Sequence, residues 1–310
     1  MKLLLSLSFC LLTSFSVFAQ NSNADLETIL KNANAQTVVY ADGFKDLIAT
    51  ETKTFENYKK DGDLNKRNII ESNFIVYQSQ RDNSVISEYR KVKSVDGKSV
   101  SDKSKYPDEF FAEVQKTGSV EKELEKVQKE SLRYDKTLEI QGLTLLQAPV
   151  LSDNFRPYFD FKLLGNETID GREVYVISYQ QTRKSPYVSI NEKSKTKELS
   201  LNYDLDLPGS VKKSDVFLSG KLWIDANNFQ LRREERELTA RTENPVILMK
   251  TDFEYQPSAY GFLVPKQITL IQYNAKNSKK NMQVNFDYSA FTKTNVEVKV
   301  LDDDEEVPQN

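Results

Sequence analysis

Histidine is absent from this chain of 310 residues, and cysteine occurs once, at Cys10 inside an N-terminal apolar run. Without imidazole there is no Ser-His-Asp or Cys-His nucleophile, and no His or thiolate ligand for a structural or catalytic zinc. One cysteine cannot build a disulfide framework. Glycine is scarce as well. Its ten copies nowhere cluster as GxGxxG or GxxxxGK, so no phosphate-cradling loop is encoded. Nor is charge of one sign in excess: 43 basic side chains face 46 acidic ones, for a formal net charge of −3. The two signs are mixed along the chain, which leaves no electrostatic footprint for nucleic acid. Neither a metal nor a cofactor is expected.

Long hydrophobic runs are missing after residue 20. Before it, Lys2 precedes the Leu3 to Phe18 run, and Val17 and Ala19 stand at −3 and −1 of a cleavage point. Residues 1–19 are therefore expected to be a cleaved signal peptide. A run of about 16 residues is short for a bilayer span, which takes about 20. Cys10 follows Ser8 and Phe9 in mid-run, where a lipid-modified cysteine would need a small residue just before it. The expected product is an exported bacterial protein, periplasmic or secreted, of about 290 residues. At that size a chain stabilises itself by core burial without disulfides. Asn166-Glu167-Thr168 matches a glycosylation sequon, which has no consequence in a bacterial envelope.

What is present is periodicity. In Asp25 to Ala35, Leu26, Ile29 and Leu30 lie at helical spacing with acidic residues in the first turn, and Phe44, Leu47 and Ile48 continue that period. Residues 49–58 are expected to be a strand, 59–65 a loop, and 73–80 and 85–93 two more strands, with a hairpin at Asp96-Gly97. Tyr106-Pro107 opens a helical insertion near 107–136. Gly118 ends its first helix and Ser119 caps the second, whose stripe is Val120, Leu124, Val127 and Tyr134. Beyond Pro149 strands dominate: 158–164, 173–180, an alternating 199–207, 217–225, 229–236, 246–255, 262–273, 281–291 and 296–301. In 281–291, Met282, Val284, Phe286 and Tyr288 share one side while Gln283, Asn285, Asp287 and Ser289 share the other, as in a sheet with one wet face. These patterns predict an α+β chain, mainly antiparallel β. About eleven strands form one large curved sheet, a half-barrel covered by helices, in a single domain over 20–301. The acidic tail, 302–310, is expected to be disordered.

Carboxylates are the one route to catalysis that needs no histidine. With 46 of them, close pairs arise by abundance, and none sits in a recognisable motif. Glu130 and Arg133 are spaced for an ordinary ion pair, and Arg232 to Glu237 (RREERE) reads as a solvated charge ladder on a strand. Asp302 to Glu306 lacks the glycine and alternation of a calcium loop. The remaining signal is aromatic: 17 Phe, 15 Tyr and one Trp. Some strands are apolar on both sides, which suits either a greasy cavity under a helix pair or a sheet buried between two layers.

Three motifs carry a family resemblance. They are Leu164-Gly165 through Asp170-Gly171-Arg172 to Tyr175-Val176-Ile177, then Gly220-Lys221-Leu222-Trp223-Ile224-Asp225 with the return Leu231-Arg232-Arg233-Glu234, and Asp252 to Tyr255 followed by Gly261, Val264 and Pro265. Over about residues 160–290 this order resembles the LolA/LolB-like half-barrels, the carriers that localise lipoproteins in bacterial envelopes. The N-terminal half is similar to exported bacterial proteins without an assigned role. The resemblance implies an eleven-stranded half-barrel with a helical lid, no catalysis, and an apolar face holding the acyl chain of a lipid or acylated peptide. Tyr175, Ile177, Tyr179, Leu222, Ile224, Phe253, Tyr255, Met282, Phe286 and Tyr288 are the candidate lining residues. The alternative is a structural or interaction protein of the envelope, with a solid core and an envelope protein as partner. A carboxylate-dependent glycan hydrolase is the third reading.

Overall fold

The first helix, α1 (Leu26–Phe44), is started by Asp25, whose carboxylate accepts a hydrogen bond from the Thr28 N–H at 2.9 Å. In this computed structural model, which describes residues 25–82, 85–100, 107–134, 143–192 and 200–293, α1 runs unbroken from the Asp25 to Ala35 segment to Phe44. It does so because Tyr40 and Phe44 extend the buried stripe of Ile29, Leu30 and Ala33. Leu47 and Ile48 do not continue the helix; they open β1 (Leu47–Tyr58). The expected signal peptide, the 296–301 strand and the acidic tail lie outside the described residues.

The other strands are β2 (Leu64–Gln78), β3 (Ile86–Val95), β4 (Lys98–Ser99), β5 (Phe159–Ile169), β6 (Arg172–Gln181), β7 (Val188–Ile190), β8 (Leu201–Tyr203), β9 (Val216–Asp225), β10 (Leu231–Ala240), β11 (Val246–Gln256), β12 (Val264–Tyr273) and β13 (Lys280–Lys293). Eleven of them form one sheet in the order β4-β3-β2-β1-β13-β12-β11-β10-β9-β6-β5, and every neighbouring pair is antiparallel. The end strands do not meet, so the sheet is open, as a half-barrel requires. Pairing of β1 with β13 joins the N-terminal strands to the C-terminal series. The start of β2 is missed by the sequence patterns because residues 64–69 are mostly polar and exposed, with no apolar alternation. The alternation at 199–207 does not enter the large sheet. Among the described residues 200–207, Leu201–Tyr203 form a short strand paired in parallel with β7, and Leu201 and Leu205 are buried as cover on the core. Alternation records that one side is apolar, and a segment lying across a core satisfies it as well as a ladder strand does.

The two sheet faces carry different layers. On one face lie α1, the segment 143–159 and residues 185–192 and 200–207, all packed into the main core. On the opposite face, α2 (Pro107–Gln115) and α3 (Val120–Ser131) cover β2 and β3 through Val114, Val127, Ile75, Tyr77 and Tyr89. The helix pair therefore does not lie over the same side as α1. Ser119 caps α3 as expected, but the buried positions are Glu123, Val127 and Ser131 rather than Leu124 and Tyr134. A buried carboxylate is tolerated there because three donors reach it. The Tyr77 hydroxyl is at 3.1 Å, the Ser79 hydroxyl at 2.6 Å and Arg81 Nε at 2.8 Å.

Candidate functional site

Register decides which side chains share the α1 face. Across β6, β9, β10 and β11, Ile177 pairs with Leu222, Leu222 with Glu234 and Glu234 with Phe253. Continuing through β12 and β13, Phe253 pairs with Ile268 and Ile268 with Phe286. All of these stand on one side of the pleat. Tyr175, Ile177 and Tyr179 on β6, Leu222 and Ile224 on β9, Phe253 and Tyr255 on β11, and Met282, Phe286 and Tyr288 on β13 all belong to this face. Each is 7% exposed or less in one continuous cluster with α1.

Within this apolar layer the sheet holds two buried ion pairs that the sequence patterns do not reveal. In the first, Arg90 on β3 donates from Nε to Glu51 Oε1 at 2.7 Å and from Nη1 to Glu88 Oε2 at 3.0 Å. Burial disfavours its charge, but Glu51 and Glu88 outweigh that and hold the guanidinium protonated far above its ordinary pKa. The Tyr288 hydroxyl donates to Glu51 Oε2 at 2.9 Å, and burial pushes its pKa well up. In the second pair, Arg236 on β10 grips Glu234 with two bonds, at 2.6 and 2.9 Å, and its guanidinium lies 4.2 Å from the Phe253 ring centroid. The run 232–237 is thus only half a solvated ladder. Arg233, Glu235 and Glu237 face outward, whereas Arg232, Glu234 and Arg236 are buried. The signal that could have found them is the inward apolar alternation of the flanking strands, Leu218 and Leu222 on one side and Met249 and Phe253 on the other.

Both pairs hold the strap formed by residues 143–151. Glu88 Oε1 accepts the Thr144 N–H at 2.7 Å and the Leu145 N–H at 3.3 Å. Glu234 Oε2 accepts the Ala148 N–H at 3.0 Å, and Arg236 Nη2 donates to the Leu146 carbonyl at 2.7 Å. Tyr40 of α1 adds a bond to the Thr144 carbonyl at 2.7 Å, and Arg156 ties to Glu27 at 2.6 Å, so α1 and the strap are linked. Ala148 holds a left-handed backbone, φ 39°, which a residue with a Cβ adopts at some cost. The cover of the apolar face is therefore attached by backbone groups to charged side chains.

The opposite face carries a groove of about 830 Å³ running over β5, β6, β9, β10, β11 and β12. Most of its lining residues are polar or charged, including Lys162, Lys221, Glu237 and Asp252, with Phe161 and Ile271 among them, and of the ten candidates only Tyr179 reaches it. Among the described residues no cluster of three or more carboxylates fit for a metal ion occurs. No described helix is long and apolar enough to cross a membrane.

No protein-family model matches the chain, and no curated protein matches its sequence. Among solved structures it is similar to a domain described as outer membrane lipoprotein-sorting, from Vibrio parahaemolyticus. The TM-score is 0.37 and the identity 11%, over 88% of this chain and 94% of that one. It is also similar to a DUF1329 family protein from Desulfovibrio piger, with TM-score 0.34, 10% identity and 87% and 93% of the two chains. A LolA superfamily protein from Nitrosomonas europaea follows, with TM-score 0.32, 12% identity and 87% and 94% coverage. The last belongs to the superfamily whose motifs this sequence resembles. At these scores the likeness carries no functional argument, and what the chain does rests on its own geometry.

Proposed function

We propose that this chain is a non-enzymatic, exported binding protein of the bacterial envelope. It takes the acyl chain of a lipid or acylated peptide between its sheet and the cover formed by α1 and the strap. The observation that carries the reading is the mode of attachment of that cover: four strap backbone groups bonded to Glu88, Glu234 and Arg236 above an aromatic and aliphatic face. Such bonds can be exchanged for water when the strap lifts, whereas the face beneath it gains by meeting another apolar surface. In the state described here the cover itself fills that face, and the ten lining candidates would meet ligand only after it moves.

The magnitudes set a chain-length requirement. Four bonds to charged groups contribute roughly 6–12 kcal/mol in total, and each methylene buried returns about 0.8 kcal/mol. A ligand of about eight carbons or fewer cannot offset opening, and one of about sixteen can. Fluorescent fatty acids of increasing length, added to the purified protein, should show uptake only for the long chains. Native mass spectrometry of protein isolated from its own envelope should retain a lipid adduct. The filled apolar face equally favours a second reading, an envelope interaction protein with a solid core. Bare protein in the mass spectrum together with no uptake at any chain length would select that reading and reject the first.

A further inference from the structure

The groove on the face opposite α1 has a charge pattern that its own ion pairs do not exhaust. Glu235 and Asp252 are both held by Arg233, Glu237 by Lys250 at 2.9 Å, and Glu254 by Lys266 at 3.1 Å. Lys162 and Lys221 also line the groove, and among the described residues neither ammonium has a carboxylate within 4 Å. The one lining carboxylate without an ion pair is Asp160, which lies in the neighbouring register row. Register places the two lysines on either side of Ser178: Lys162 pairs with Ser178 and Ser178 pairs with Lys221. With strands about 4.8 Å apart, the two lysine Cα atoms stand about 10 Å apart on one side of the sheet. Two flexible ammonium groups can then close on one anionic oxygen cluster above the Ser178 hydroxyl.

We propose that this groove is a second binding site, separate from the apolar face, for an anionic polar ligand whose phosphate or carboxylate is held by Lys162 and Lys221. Three features support it. The volume, about 830 Å³, is that of a small-molecule site. Four of the five lining carboxylates have a cationic partner, Glu235 and Asp252 sharing Arg233, and Asp160 has none. Hydroxyl and amide groups of Ser178, Gln180, Ser219 and Thr269 line the same recess and suit a hydroxyl-bearing body attached to the anion.

Backbone amide shifts of Ser178, Ser219 and Lys221 test the site during titration with glycerol 3-phosphate and, separately, with inorganic phosphate at low ionic strength, since exposed charges are screened by salt. Saturable shifts are expected with glycerol 3-phosphate. Lys162→Gln combined with Lys221→Gln should weaken that binding by about tenfold while leaving the thermal midpoint in place. Flotation with phosphatidylglycerol vesicles against phosphatidylcholine vesicles identifies the source. Retention on the anionic vesicles, lost in the double variant, assigns a lipid headgroup. Binding of the soluble phosphate alone assigns a free metabolite. No saturable shift and no lysine-dependent flotation, or binding that the double variant leaves unchanged, overturns the proposal. Fatty acid uptake by the apolar face is read independently and is unaffected by either result.

Discussion

Replacement of Arg236 by Met tests the reading of the strap most directly. Arg236 is 4% exposed and Glu234 is fully buried, and the two share bonds of 2.6 and 2.9 Å. Methionine keeps much of the volume over the Phe253 ring but leaves the Glu234 carboxylate with the Ala148 N–H as its remaining hydrogen bond. Breaking a buried pair from one side costs about 3–5 kcal/mol, which in a domain of this size lowers the thermal midpoint by about 10 °C. Glu234→Leu combined with Arg236→Met removes the stranded charge as well. The sum of the two single-variant losses should therefore exceed the loss in the double variant by about 2 kcal/mol. The variant also acquires a pH dependence. A carboxyl left unpaired and buried has its folded pKa raised, so the stability it permits is present at low pH and is lost as pH rises through that value. Urea unfolding of the four proteins at pH 5 and pH 7 measures both effects. Additive single-variant losses, or an Arg236→Met penalty no smaller at pH 5 than at pH 7, would refute the argument.

Two further changes probe the frame of the sheet. Gly220→Ala places a Cβ against the Glu235 carbonyl and the Tyr179 hydroxyl, which is bonded to that carbonyl at 2.9 Å, and should cost about 1–3 kcal/mol; a thermal midpoint equal to that of the parent would show that the strands can part there. Burial raises the pKa of Asp225, but hydrogen bonds from the Asn227 and Asn228 N–H groups and from Arg232 outweigh it and leave the carboxyl below its ordinary 3.8. With the folded pKa below the unfolded one, this stabilisation is present above about pH 4 and lost as pH falls through the folded value. Asp225→Asn should therefore lose stability at pH 7 and converge on the parent in acid, as measured by urea midpoints between pH 7 and pH 2.5; a constant gap across that range would contradict the sign.

Particular elements show where sequence patterns suffice. The alternation in 281–291 is found as written, with Met282, Val284, Phe286 and Tyr288 buried and Asp287 and Ser289 exposed. The cap at Ser119 and the ion pair of Glu130 with Arg133 at 3.2 Å also form as expected, because both depend on residues within one turn. Within each strand the lining candidates were equally legible as residues that share a side, and register then brings those sides to one face. That this face is filled by α1 and a strap from 143–151 was not legible, because those contacts join residues up to 144 positions apart, as in Thr144 with Tyr288.

The absence of histidine and of any thiol beyond Cys10, the mixed charges and the period-two patterns determine by themselves a mainly antiparallel β chain with no histidine-activated nucleophile. Only the tertiary structure decides the fate of individual charges. Arg233 and Arg236 occupy the same run of RREERE, yet one pairs on the outer face and the other is sealed beneath the strap. The physical reason is that a charged side chain can be buried only where a distant strand or segment supplies its counter-charge and hydrogen bonds. Local periodicity says which residues share a face. It does not say what will be laid across that face.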